Sequence, residues 1–179
     1  MRRLASVAIC LALAACAQGP LESDWQQAQQ AKNWHEEQLA LPPYPKQGSN
    51  LVRFDAGTDT GFRFFVDTAT LSVGADGVVR YVLIARSPQG AENVSFEGLR
   101  CRNDDYKVYA TGGQDRHWVE APGARWRPLA QRAGAWRKAL ANDYFCPGKS
   151  PIADAAEGIE ALKRGGNPRA NILRNQPGA

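Results

Sequence analysis

The sequence predicts an α+β fold: an antiparallel β-sheet meander of roughly five to seven strands, C-terminal helices packed on one face, and a peripheral N-terminal helix. Three observations carry this expectation. Residues 51–120 alternate β-branched and aromatic runs with Gly, Asn, Asp and Pro clusters. Residues 129–162 carry apolar side chains at helical spacing, and residues 23–40 are rich in Gln, Ala and Glu.

Taken in order, Ser23 with Gln26 three residues on forms a capping-box pattern and starts a helix running to about Ala40. Its apolar stripe is thin, so it should lie on the domain rather than in it. Pro42-Pro43-Tyr44-Pro45 ends it, because proline lacks the N–H and restricts the residue before it. Phe62–Val66 reads as a strand, and Leu71–Val73, Gly74-Ala75-Asp76-Gly77 and Val78–Ala85 read as a hairpin. Val78–Ala85 is apolar nearly throughout, which suits a central strand covered on both faces. Ser87–Gly90 turns into a strand from Asn93 to Cys101. Asn103-Asp104-Asp105 turns into Tyr106–Ala110, and Thr111–Asp115 into His117–Glu120. Leu129, Ala133, Trp136, Leu140 and Tyr144 share one helix face. A second helix is expected with Ser150 as cap, Pro151 at its first position and Ile152, Ala155, Ile159 and Leu162 inward. Gly165 stops it, and residues 167–179 read as a disordered tail.

The start of the chain has the pattern of a secretory signal. Met1-Arg2-Arg3 is basic, Leu4–Leu13 is apolar and Ala14-Ala15 are small. The apolar run is too short to span a bilayer. Leu13-Ala14-Ala15-Cys16 also resembles a bacterial lipobox, in which Cys16 is acylated and becomes the new N-terminus. The expected division is a signal peptide at 1–15, a lipidated tether at 16–22, and a helix with a Pro-rich linker at 23–45. A single periplasmic domain follows at 46–166. Ala17, not Asp, follows Cys16, which by the usual sorting pattern points to the outer membrane. The alternative is ordinary cleavage near Ala15, leaving a soluble periplasmic protein.

Cysteine arithmetic supports the first reading. Of four cysteines, Cys10 leaves with the signal, and acylation of Cys16 leaves the even pair Cys101 and Cys146. In an oxidising compartment these two are expected to form a disulfide that ties the Leu129–Tyr144 helix to the sheet. Leu99 and Cys101 should then point to the helix-covered face. Two buried thiols, or a two-cysteine metal site, are the competing readings.

Charge is uneven. Without Arg2 and Arg3 the chain has 20 basic and 18 acidic residues. Residues 16–124 hold 10 basic and 14 acidic side chains, and residues 125–179 hold 10 and 4. Such asymmetry fits either an anionic partner or a solvated face.

From about Leu51 to Pro147 the chain resembles the cryptic neisserial protein-like family of small bacterial envelope proteins. The resemblance lies in Phe65-Val66-Asp67, Leu71–Tyr81, Gly90–Cys101 and Tyr144-Phe145-Cys146-Pro147. It implies an envelope address and brings no catalytic residues with it.

Motifs for chemistry are sparse. His35-Glu36-Glu37-Gln38-Leu39 begins like a zinc-protease helix but has Leu39 where the second histidine belongs. His117 stands beside Trp118, with Asp104, Asp105 and Asp115 in the flanking turns, which is a weak basis for a metal site. Gly74–Gly77 is a turn and no phosphate loop, and Asn93-Val94-Ser95 matches a glycosylation sequon by composition only. No catalytic, cofactor-binding or metal-ligating residue is assigned. The clearest binding signal is Arg125, Trp126, Arg127, Arg132, Arg137 and Lys138, a candidate anion-binding group by charge and stacking. Core tryptophans with solvated arginines are the plainer reading of the same run.

The expectation is therefore a non-catalytic envelope lipoprotein, held to the membrane through Cys16 and acting on an unidentified envelope protein, with no nucleic-acid partner. A binder of anionic envelope polymer or lipid is the alternative, and an enzyme the remote one. A concave apolar pocket with converging polar groups would favour the enzyme. A contiguous arginine face would favour the polymer binder, and an exposed apolar patch the protein contact. One structural expectation is separate: Arg80 and Glu97, lone charges on neighbouring apolar strands, should pair across the sheet.

Overall fold

The computed structural model describes residues 33–46, 50–58, 61–130 and 134–174. The signal, Cys16 and most of the expected N-terminal helix lie outside the described residues. The chain divides into two units, Met1–His35 and Glu36–Ala179. Only the second is described in detail below.

Seven strands form one antiparallel sheet: β1 Leu51–Phe54, β2 Arg63–Val73, β3 Val78–Arg86, β4 Glu92–Arg100, β5 Asp105–Gly112, β6 Trp118–Glu120 and β7 Arg127–Pro128. The order β1-β2-β3-β4-β5-β6 is sequential, with β7 beside the other end of β5. This is the expected meander. Strand β3 is central and is buried from Val78 through Ile84, as its apolar run implies. The turn between β2 and β3 closes with the Gly77 N–H donating to the Gly74 carbonyl at 2.9 Å.

Two bulges shape the sheet. In β2 the ladder shifts between Asp67 and Ser72, and the Val82 N–H donates to Thr70 Oγ1 at 3.0 Å. In β5 Tyr109 is the extra residue opposite Phe96 and Glu97, so its ring and Ala110 both turn to one face. Gly98 makes room for it: a Cβ there would sit 2.9 Å from the Tyr109 hydroxyl and 3.0 Å from Val78.

Alternation sorts the side chains into two cores. Val66, Val79, Tyr81, Leu83, Leu99 and Cys101 point to the helix side and pack with Leu140, Tyr144, Phe145, Ile152 and Leu162. Leu99 and Cys101 therefore share the helix-covered face, as expected. Val82, Ile84, Val94, Phe96 and Ala110 point the other way and pack under Leu41, Tyr44 and Trp118.

The helical part departs from expectation in three places. The segment read as one helix from Leu129 to Tyr144 begins at α1, Ala135–Ala139, and continues as a π-helix over Leu140–Phe145. Leu129 is still core, but from the end of β7, where its N–H donates to the Asp104 carbonyl at 2.7 Å. Gly134, at φ 77°, makes the corner into α1. The second helix, α2, spans Ala155–Arg164 and is capped by Asp154, not Ser150: Asp154 accepts the Glu157 N–H at 2.9 Å. Gly165 ends it at φ 74°, as expected. Of the tail read as disordered, residues 175–179 lie outside the described residues, and Pro168–Arg174 forms α3. Buried Asn167 caps it, accepting from the Arg169 N–H at 2.9 Å and donating to Glu157 and to the Tyr144 carbonyl. Asn followed by Pro is an N-cap and first-position signal that periodicity alone misses.

Residues 36–46 are not helical. They run as an extended strap over the second face, held by Lys107 on Glu36, by the Trp118 indole N–H on the Pro42 carbonyl at 2.7 Å, and by Arg116 on the Pro45 carbonyl at 2.7 Å. The prolines that should merely end a helix keep this strap extended.

Candidate functional site

Arg80 and Glu97 do not pair. The register places Arg80 opposite Gly98 and Glu97 opposite Tyr81, so the two charges face opposite sides of the sheet. Each finds a partner on its own side. Arg80 binds Asp76 through two bonds of 2.6 and 3.0 Å, and it also donates to the Glu37 carbonyl of the strap. Burial raises the Asp76 carboxyl pKa, but hydrogen bonds from Arg80 and from the Glu37 and Val78 N–H groups outweigh it and hold the group below its usual range.

On the helix side, Glu97 is fully buried and takes a two-pronged bond from Arg137 at 2.6 and 2.7 Å. The Ser95 hydroxyl donates to it at 2.6 Å and the Tyr81 hydroxyl at 3.4 Å. Burial, and then the Glu97 charge, push the Tyr81 hydroxyl well above the usual phenol range. The Arg137 guanidinium also lies 4.7 Å from the centre of the Tyr106 ring.

This pair forms the floor of a cleft of about 510 Å³. The end of the sheet that α1 leaves uncovered supplies Leu83, Ala85 and Val108. Phe62, Phe64 and Trp136 make an aromatic wall, and Asn93, Ser95 and Thr111 a polar rim. Phe64 and Trp136 stack at 5.2 Å with their planes 16° apart, and Phe62, 38% exposed, forms the lip. Gly134 gives the indole its seat, since a Cβ there would lie 2.6 Å from the Trp136 ring. The Trp136 N–H is buried with no acceptor among the described residues. Such a group costs about 1–3 kcal/mol, so stacking and not hydrogen bonding fixes this wall.

The candidate anion-binding group is not assembled. Arg125 and Arg127 are exposed on the approach to α1, and Lys138 borders a separate hollow of about 810 Å³ beside Cys146. Arg132 lies outside the described residues. Arg137 is committed to Glu97 on the helix side. Trp126 lies on the strap side, where its N–H donates to Glu36 at 3.2 Å and its ring meets Arg100 and Lys107. The sheet edge formed by β7 separates the two halves of the run.

Cys101 and Cys146 are joined by a disulfide, with Cα atoms 5.2 Å apart. It ties the end of β4 to the end of the π-helix, as expected. His117 is exposed in the β5–β6 turn, while Asp104 pairs with Lys149 and Asp105 with Arg100. These carboxylates do not converge on it. Among the described residues no group of three or more His, Cys, Asp or Glu side chains could hold a metal ion. No helix among them is long and apolar enough to cross a membrane.

Sequence reasoning missed the cleft, although a signal for it was present. The Arg86–Glu92 ion pair flanks the β3–β4 turn, and counting back from it sets Gly98 opposite Arg80 and frees Glu97 for another partner.

The fold is thus an α+β domain with a six-strand meander path, helices on one face and a strap on the other. The chain belongs to the CNP1-like family, whose model matches residues 29–163. It is 27% identical over 150 residues to cryptic neisserial protein 1 of Neisseria gonorrhoeae (strain ATCC 700825 / FA 1090), covering 74% of this chain and 73% of that protein. No solved structure matches the chain.

Proposed function

We propose that this CNP1-like protein is a lipid-anchored bacterial envelope protein whose domain is a non-catalytic binding module. It works through protein contacts, and the cleft beneath Phe62, Phe64 and Trp136 is the contact site. The observation that carries this reading is the state of the cleft floor. Among the described residues lining the cleft the one carboxylate is Glu97, and it already accepts from Arg137, Ser95 and Tyr81. What the cleft offers a visitor is an apolar, aromatic surface with a polar rim, which suits an apolar side chain of a partner. The lipobox-like Leu13-Ala14-Ala15-Cys16 supports the anchored address, on the periplasmic side of the outer membrane.

The contact site is tested in intact cells with a photo-crosslinking residue at Phe62 and, as a control, at exposed Ile172. Discrete protein adducts from position 62 and not from 172 are expected, with the partner read by mass spectrometry. Equal labelling from both positions would overturn the reading. For the address, mass spectrometry of the mature N-terminus should find an acylated Cys16, and Cys16→Ala should release the protein from membranes. An unmodified Cys16 would contradict it.

A further inference from the structure

Cross-strand register gathers three arginines that are distant in sequence. Arg53 stands opposite Phe65, and Arg63 stands opposite Arg86. Alternation puts all four on the strap-side face, at one end of the sheet. Directly opposed residues have Cβ atoms about 5 Å apart, and diagonal neighbours lie within about 7–8 Å. Arg63 is therefore within side-chain reach of both other arginines.

Their charges are unequally compensated. Arg86 is fixed by Glu92 at 2.6 and 2.9 Å and lies over the Phe65 ring at 4.9 Å. Arg53 and Arg63 are exposed, and neither has an acidic partner among the described residues. Both line a hollow of about 360 Å³ at the end of the β1–β2 hairpin, with Asp55 and Thr58. The Asp55 carboxylate accepts the Gly57 N–H at 2.9 Å. Like charges directly opposite each other destabilise a sheet. Glu92 offsets the Arg86 charge and leaves Arg63, directly opposite, to be met by an anion from outside the described residues.

We propose that Arg53 and Arg63 form a binding site for a phosphate group, with Arg86 as the fixed third charge. Guanidinium forks match phosphate oxygens two at a time, which a lysine could not do. The phosphate comes from either an anionic phospholipid headgroup or a soluble phosphate ester. The site stands apart from the cleft reading and shares with the cleft only Phe62 and Phe64.

The test uses the chain from residue 16 onward with Cys16→Ser, so that no acyl chain contributes. It is titrated with inorganic phosphate, with vesicles containing phosphatidylglycerol, and with vesicles of phosphatidylcholine alone. Selective binding to phosphatidylglycerol, weakened about 30-fold in Arg53→Gln/Arg63→Gln, supports the site and identifies a lipid headgroup. Binding of inorganic phosphate without vesicle preference, lost in the same variant, supports it and identifies a soluble ester. Arg125→Gln/Arg127→Gln removes the same charge elsewhere and should leave either response intact. In the unsubstituted arginines, the Nε–H resonances of Arg53 and Arg63 should shift on titration, a readout independent of how the variants fold. The proposal is overturned if neither probe binds, or if the Arg125/Arg127 variant weakens binding as much as the Arg53/Arg63 variant.

Discussion

On the helix side of the sheet, Arg137 reaches Glu97 across 40 residues, and Cys101 reaches Cys146 across 45. On the strap side, Arg80 finds Asp76 four residues away, inside its own hairpin. A buried charge needs a partner on either side. The strap-side pair lies within the β2–β3 hairpin, and the strap covers it through the Glu37 backbone, whose N–H donates to Asp76 and whose carbonyl accepts from Arg80. The helix-side pair exists only when a distant element is docked. Glu97 stands four positions before Cys101, and Arg137 nine positions before Cys146, so both ties join the same strand to the same helical segment. One tie holds the wall of the cleft and the other holds the far end of the same wall. The side that carries the cleft is thus closed by a buried ion pair and a covalent bond, and the other side by hydrogen bonds and an ion pair from residues 36–46 to the sheet, with no covalent tie among the described residues.

The largest way to break this comparison is to remove the disulfide. Cys101→Ala/Cys146→Ala should lower unfolding stability by about 4 kcal/mol on the chain-entropy account, read by denaturant titration. A change below about 1 kcal/mol would mean that packing alone docks the helices. The next effect is Arg137→Ala, which leaves Glu97 buried without its counter-charge and should cost about 3 kcal/mol. The double variant Glu97→Gln/Arg137→Met should recover much of that loss, because it removes both charges together.

A smaller effect belongs to the strap side. Asp76→Asn should cost about 2 kcal/mol at neutral pH, since Arg80 keeps the Glu37 carbonyl. Its pH dependence sharpens the contrast. The folded Asp76 carboxyl lies below its unfolded value of about 3.9. Its stabilisation is therefore complete above that value and is lost as pH falls through the folded value. Acid-unfolding curves of Asp76→Asn should be correspondingly shallower below about pH 5. Identical slopes would remove Asp76 from the account.

The same comparison explains what could be read from the residues. The strands, their sequential order and the covering of β3 followed from the apolar run Val78–Ala85 and from turn chemistry, which are local signals. The disulfide followed from counting. Arg80 with Glu97 failed because pairing depends on the register of two strands, and a shift of one residue sends a side chain to the opposite face. The arginine and tryptophan run failed for a related reason: β7 and the corner at Gly134 carry Trp126 and Arg137 to different sides. Conversely, Arg53, Arg63 and Arg86 come together only through register, so nothing in their spacing announced them. Residues 36–40 looked like the end of a helix because Gln, Ala and Glu are good helix formers, yet the contacts of residues 36–46 with the sheet override that propensity.

Hydrogen exchange before and after reduction tests the central claim most directly, that the two faces are closed independently. Amides of 135–145 and of 36–46 are followed in the same sample, with and without a dithiol reductant. Protection over 135–145 should fall on reduction while the strap keeps its own. Loss of protection in both segments together, or in neither, would contradict the account.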